Sequence, residues 1–282
     1  MILDGKLVAA ALDEGSACLC EELKESGVQP RLAILRLGER PDDMSYERGA
    51  SKRCAKVGVE VEHCVLPAEV PQEELLKEID RLNRDESIHG VLMLRPFPPQ
   101  IKDETVRAAL DPEKDIDGVT DGSLAGVFTG TGRGFAPCTA RACMEILDHY
   151  KIDVTGMRAA VVGRSLVVGR PAALLLTHKN ATVTLCHTRT KDLPARCREA
   201  ELLLVAAGKA GAVGADCAAP GQIVLDVGIH VGEDGKLRGD VDFAAFEPLA
   251  RAITPVPGGV GAVTTSVLVR HVLEAARRQK GL

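Results

Sequence analysis

Short apolar runs of strand length alternate along this chain with longer amphipathic stretches, and that order leaves few folds open. "RLAILRLG" (31–38), "VEVEHCVLP" (59–67) and "IHGVLML" (88–94) read as strands. "GKLVAAALDEGSACLCEELKESG" (5–27) precedes them with helical periodicity and ends at Gly27, a residue suited to a helix C-terminus. A helix carrying Tyr46, started by Asp42, Asp43 and Ser45, separates the first two strands. "PQEELLKEIDRLNRD" (71–85), with Pro71 in its first turn, separates the next two. Strands that alternate with helices imply a parallel sheet covered by helices.

The pattern then breaks and resumes. Residues 111–137, "DPEKDIDGVTDGSLAGVFTGTGRGFAP", are rich in Gly and Asp and read as an irregular segment, of the kind that is usually functional or disordered. After the helix "CTARACMEILDHYKI" (138–152) comes a second alternating block. Its strands are "MRAAVVG", "ATVTLCH", "LLLVAAG" and "GQIVLDVGI". A charged hairpin-like insert (230–243) and a Gly/Pro loop (253–265) follow, and an amphipathic helix from Ser266 closes the chain. Two alternating blocks in 282 residues fit a two-domain α/β protein.

Composition narrows the function classes. An apolar fraction of 45% with 27% charged residues is that of a globular protein. A net charge of −5 leaves no basic footprint for nucleic acid, and 2% aromatics without Trp leave no base-stacking platform. Asp4, Lys6 and Asp13 interrupt the first apolar run, so no signal peptide is expected there. No run approaches the roughly 18 apolar residues of a membrane span. The nine cysteines lack C-x-x-C pairing and read as reduced, mostly buried thiols of a cytoplasmic protein, with no metal site.

One turn reads as a nucleotide site. "AAVVGRSLVVGRP" places Gly163, Arg164, Ser165, Gly169 and Pro171 between a strand and a helix. Gly163 suits a tight turn. Gly169 permits close helix packing or close approach of a pyrophosphate, and the helix N-terminus offers free N–H groups. The spacing is not G-x-G-x-x-G, so its position matters more than its pattern. About 20 residues on, an NAD site usually has an acidic residue for the ribose 2′-hydroxyl. Here the next strand ends in His187, Thr188 and Arg189. With Arg164, these form a cationic, hydroxylic group suited to a 2′-phosphate, which favours NADP over NAD. The plainer alternative is that Arg164 and Arg189 are solvated surface residues.

Several segments together resemble the methylenetetrahydrofolate dehydrogenase/cyclohydrolase family. They are "SIHGVLMLRPFP", "PEKDIDG", "PCTARACMEIL", "VVGRSLVVGRPAALLL", "ATVTLCHTRT", "IVLDVGI", "GDVDF" and "ITPVPGGVGAVTT", in order across nearly the whole chain. The resemblance implies a folate-binding catalytic domain over residues 1–136 and 262–282, and a Rossmann-type NAD(P)-binding domain over 137–261. It also implies a folate cleft between them and a homodimer. The implied reactions are oxidation of 5,10-methylenetetrahydrofolate by NADP, then hydrolysis of the methenyl product to 10-formyltetrahydrofolate. Asp117 matches the position whose carboxylate accepts the pterin N–H groups, and Tyr46 the tyrosine packed on folate. Pro257, Gly258, Gly259 and Val260 match a loop against substrate and cofactor. Gly208 and Ile229, at the ends of "LLLVAAG" and "IVLDVGI", join the expected cofactor contacts.

Two positions depart from that pattern. The family motif at the tyrosine is Y-x-x-x-K, and its lysine falls on Ala50. The family glutamine before L-P-L-P falls on Leu94. Forming a delocalised cation by hydride loss requires orientation and no strict acid or base. Hydrolysis requires a group that activates water and relays protons. Alanine and leucine supply neither, so the expectation is a dehydrogenase with weak or absent cyclohydrolase activity. An ordinary bifunctional enzyme and a catalytically silent folate- or nucleotide-binding protein are the alternatives.

Overall fold

The computed structural model describes all 282 residues. The first alternating block forms α1 (Gly5–Glu25), β1 (Arg31–Leu37), α2 (Pro41–Val57), β2 (Glu60–Leu66), α3 (Gln72–Arg84), β3 (Gly90–Met93), α4 (Asp103–Ala109) and α5 (Asp121–Thr129). The second forms α6 (Cys138–His149), β4 (Arg158–Val162), α7 (Gly169–His178), β5 (Thr182–Cys186), α8 (Leu193–Arg198), β6 (Leu202–Val205) and β7 (Ile223–Asp226). The short pair β8 (His230–Val231) and β9 (Leu237–Arg238) follows, then α9 (Phe243–Phe246), β10 (Ala252–Ile253) and α10 (Val260–Gln279).

Two compact units result. One comprises Ala11–Cys138 with Thr265–Leu282, the other Met1–Ala10 with Thr139–Thr264. The first holds a parallel three-stranded sheet in the order β2-β1-β3. Leu35, Leu75, Ile79, Leu82 and Val106 pack its core between the sheet and helices α3 and α4. The apolar face of α3 explains this: Leu75, Ile79 and Leu82 recur at helical spacing and all are buried.

The second unit holds a parallel five-stranded sheet in the order β10-β7-β6-β4-β5. The chain leaves β4 for β5 on one side and then crosses to β6 on the other. That reversal is the topological switch point at which open α/β sheets bind ligands. The first ten residues belong to this unit because Leu3 donates its N–H to the Ile253 carbonyl (2.8 Å) and Gly5 to that of Gly258 (2.8 Å). A side chain at Gly5 would overlap the Gly259 carbonyl.

Three local expectations need correction. Helix α2 begins at Pro41 with Arg40 as N-cap and no side-chain cap bond, so Asp42, Asp43 and Ser45 lie inside it. Proline needs no N–H partner in a first turn, and the two aspartates favour the positive helix end. The segment 111–137 contains α5, capped by Thr120, whose hydroxyl accepts the Ser123 N–H at 3.1 Å. Helix α10 begins at Val260, inside the Gly/Pro loop expected before it.

Candidate active site

In the three-stranded unit, strand register decides which residues meet. Leu35 is level with Met93, and Leu94 N–H continues the ladder to the Leu35 carbonyl at 2.9 Å. Val91 pairs with Asp115 in a parallel bridge, which lays the "KDIDG" segment along β3. Asp117 therefore emerges near the carboxyl end of the sheet, as do Leu94 and the helix that follows β1. That helix carries Tyr46 and Ala50.

Buried polar contacts hold the Asp117 segment. The Asp115 carboxylate accepts the N–H groups of Val119 (3.1 Å) and Thr120 (2.7 Å). The Ile116 carbonyl accepts from His271 Nδ1 (2.8 Å) and Cys138 Sγ (3.2 Å). Asp117 itself is partly buried, and its carboxyl is raised to about 7, first by loss of solvent and then by the Asp115 charge. Tyr46 is 39% exposed, yet its phenol is pushed well above the ordinary range, by burial first and by Asp117 second. The residue is part-exposed while its hydroxyl lies close enough to feel the Asp117 charge. The structure thus brings Tyr46 and Asp117 together.

No titratable group replaces the family lysine on α2. Ala50 is fully buried and Leu94 is 6% exposed. Arg53 is committed to both Asp13 oxygens (3.0 and 2.9 Å) and to Ser266 Oγ (2.6 Å). Lys52 is exposed, and Lys56 pairs with Asp13. Arg95 makes a two-pronged ion pair with Asp103 at 2.6 and 2.7 Å. Glu47 is fixed by Arg36 (2.7 Å) and by the His63 ring.

In the five-stranded unit, Val162 is level with both Cys186 and Val205, and Val205 with Asp226. The loops beginning at Gly163, His187, Ala206 and Val227 therefore leave one edge of the sheet together. Gly163 has φ +122°, and a Cβ there would overlap the Ala206 carbonyl. A Cβ on Gly169 would overlap the Gly163 carbonyl, so the helix start packs directly on the loop. Ser165 Oγ accepts the N–H groups of Val168 (3.2 Å) and Gly169 (3.4 Å). Pro171 is buried in the first turn of α7. Arg164, Thr188 and Arg189 are exposed, and no carboxylate pairs with either arginine. His187 Nδ1 accepts the Arg189 N–H at 3.1 Å, which fixes the turn at the end of β5.

Ile229 and Pro257 to Val260 line one cavity of about 240 Å³ together with Lys6 and Asp226. Sequence reasoning did not select Lys6, Asp226, Asp240, Cys138 or His271 as site residues. Asp226 and Asp240 lie within motifs already visible, "IVLDVGI" and "GDVDF". Nothing local marks His271, whose contact with Ile116 spans 155 positions.

Residues 3–117 match the tetrahydrofolate dehydrogenase/cyclohydrolase catalytic domain, and residues 137–280 match the NAD(P)-binding domain of the same family. The chain belongs to the tetrahydrofolate dehydrogenase/cyclohydrolase family. It is 48% identical over 282 residues to the bifunctional protein FolD of Carboxydothermus hydrogenoformans, covering 99% of this chain and 98% of that one. Its fold matches the crystal structure of the bifunctional FolD dehydrogenase/cyclohydrolase from Campylobacter jejuni with a TM-score of 0.96. That match has 37% identity and covers 99% of each chain. A Trypanosoma brucei FolD structure, complexed with NADP and an inhibitor, matches with a TM-score of 0.92 and 33% identity, over 100% of this chain and 99% of that one. Membership establishes the two-domain α/β architecture with a catalytic and an NAD(P)-binding part, and a tetrahydrofolate substrate for the family's dehydrogenase and cyclohydrolase chemistry. No helix is long and apolar enough to cross a membrane.

The residues present fit a dinucleotide. Gly163 and Gly169 leave no Cβ at the crowded β4 turn, α7 presents its N-terminus at the switch point, and two unpaired guanidinium groups flank it.

Proposed function

We propose that this chain oxidises 5,10-methylenetetrahydrofolate to the methenyl form with NADP. The observation that carries the proposal is the pairing of Tyr46 with Asp117 in one unit and of the Gly163–Gly169 turn with Arg164 and Arg189 in the other. Asp117 accepts the adjacent pterin N–H groups in parallel, and the part-exposed ring of Tyr46 packs on the folate. The functional division follows residues 1–136 with 262–282 for folate and 137–261 for the nucleotide, with Met1–Ala10 packed on the nucleotide unit. NADP supplies the hydride acceptor. Arg164, Thr188 and Arg189 hold its 2′-phosphate, Gly163, Ser165, Gly169 and Pro171 shape its phosphate turn, and His187, Gly208 and Ile229 complete the contacts. Pro257 to Val260 lie against the substrate. A cytoplasmic homodimer is part of the same proposal.

The bifunctional names of the relatives favour hydrolysis as a second activity of this chain. Ala50 and Leu94 support the narrower reading, in which hydrolysis is weak. A paired assay separates them: NADPH formation from methylenetetrahydrofolate, and protein-dependent loss of methenyltetrahydrofolate absorbance above the spontaneous rate. Hydrolysis near the dehydrogenase turnover establishes the ordinary bifunctional enzyme. Absence of NADPH formation removes the dehydrogenase itself.

A further inference from the structure

The "GDVDF" motif has no part in the chemistry described so far, yet its Asp240 is completely buried. Its carboxylate accepts three consecutive backbone N–H groups: Ala207 (2.6 Å), Gly208 (2.9 Å) and Lys209 (3.0 Å). A fourth bond joins it to His230 Nε2 at 2.7 Å. Successive N–H groups in a turn form a concavity that suits an anion. Here the protein's own carboxylate fills it. These amides belong to the loop leaving β6, next to β4 at the switch point, and the Ala206 carbonyl occupies the space that a Gly163 Cβ would need. His230 follows Ile229 directly, so the same carboxylate also holds the loop leaving β7. Asp226 completes the tie by accepting N–H groups from Gly228 (3.0 Å), Asp240 (2.9 Å) and Val241 (3.0 Å). A side chain on Gly228 would overlap Asp240, which shows how tightly the two loops close on it.

We propose that Asp240 is a positioning residue for the dinucleotide, fixing the Ala206–Lys209 loop and, through His230, the segment at Ile229. The proposal rests on the nucleotide site argued above. Asp240 touches backbone and His230 only, so it acts by holding two loop shapes that no other side chain spans. Loss of hydrogen bonds to a buried charge typically changes affinity by about ten- to a hundredfold when the loops relax.

The test compares Asp240→Asn, His230→Ala and His230→Gln in the full-length protein. NADP binding is measured by titration, and KM and kcat are measured for both substrates. Asp240→Asn turns a donor toward N–H groups and is expected to raise the NADP KM about tenfold or more, with the folate KM within about twofold. His230→Ala is expected to raise the NADP KM about threefold. His230→Gln, which keeps a donor near Nε2, restores it. A folded Asp240→Asn protein with unchanged NADP affinity overturns the proposal. So does a uniform loss across both substrates, which marks a merely structural role. If Asp240→Asn does not fold, the His230 pair decides: an NADP KM unaltered by His230→Ala overturns the proposal. Failure of the wild-type protein to bind NADP would instead remove the nucleotide site itself.

Discussion

His271 donates its Nδ1–H to the carbonyl of Ile116 at 2.8 Å, directly behind Asp117 in the chain. A carbonyl oxygen only accepts, so this bond fixes the proton on Nδ1. The Phe135 ring packs against the imidazole with centroids 4.8 Å apart, and the Arg278 guanidinium lies 4.5 Å over the far ring. The last helix thereby braces the segment that carries Asp117. An asparagine amide reaches the place of Nδ1, whereas a glutamine amide lies one bond further out. His271→Asn is therefore expected to keep the folate KM within about threefold, while His271→Leu and His271→Gln raise it about tenfold. NADP affinity is expected to stay constant in all three. Steady-state kinetics with each substrate varied in turn checks the pattern, and equal behaviour of the Asn and Gln variants would contradict it.

Asp117 predicts a pH dependence with a definite sign. Burial first and the Asp115 charge second raise its carboxyl from 3.8 to about 7. In the proposed role the carboxylate form accepts two pterin N–H groups, so folate affinity is expected to climb between about pH 6 and 8 and then level. Asp117→Asn should weaken binding and abolish the slope. Stability moves the opposite way. A folded-state value above the unfolded one gives a contribution fully present below pH 3.8 and lost as pH rises through about 7. Thermal melts should therefore show wild type losing ground to Asp117→Asn between about pH 4 and 7, with a constant difference above.

The parallel sheets were legible because buried strands such as "AAVVG" and "LLLVAAG" are continuous apolar runs, and Gly163 and Gly169 mark their own turn. Membership followed from motifs. The start of α2 was misplaced because Asp42, Asp43 and Ser45 are good caps in isolation, while Pro41 and the preceding Arg40 decide the geometry. Helix α5 was hidden by its glycines. Gly126 stays in it because a side chain there would overlap the Arg133 carbonyl, a contact made only after folding. The Asp240 tie was illegible for the same reason: apart from His230, its partners lie 31 to 33 positions away and are backbone amides, which no residue type advertises.

Restoring the family residues at two positions tests the hydrolytic step. Ala50→Lys with Leu94→Gln introduces two polar groups at buried positions. The double variant is expected to melt several degrees lower, since a buried ammonium and amide need partners. If the missing lysine limits hydrolysis, protein-dependent loss of methenyltetrahydrofolate should increase about tenfold or more. Dehydrogenase activity should change less. A folded double variant with unaltered hydrolysis would show that this chain moves the protons by another group.

The proposed preference for NADP rests on Arg164 and Arg189. Both are exposed at the carboxyl edge of the sheet, neither has a carboxylate partner, and no acidic residue ends β5. Two free cations beside a turn of N–H groups favour the dianionic 2′-phosphate that only NADP has, and a ribose hydroxyl gains little from them. Arg164→Ala with Arg189→Ala is expected to raise the NADP KM about tenfold or more and to leave the NAD KM within about twofold. The NADP KM of the wild-type protein should also rise with added salt more steeply than that of the double variant, because exposed charges are screened. Equal losses with both nucleotides would place the arginines on the shared pyrophosphate instead. No loss with either would return them to the solvated surface, and the preference for NADP would then need another source.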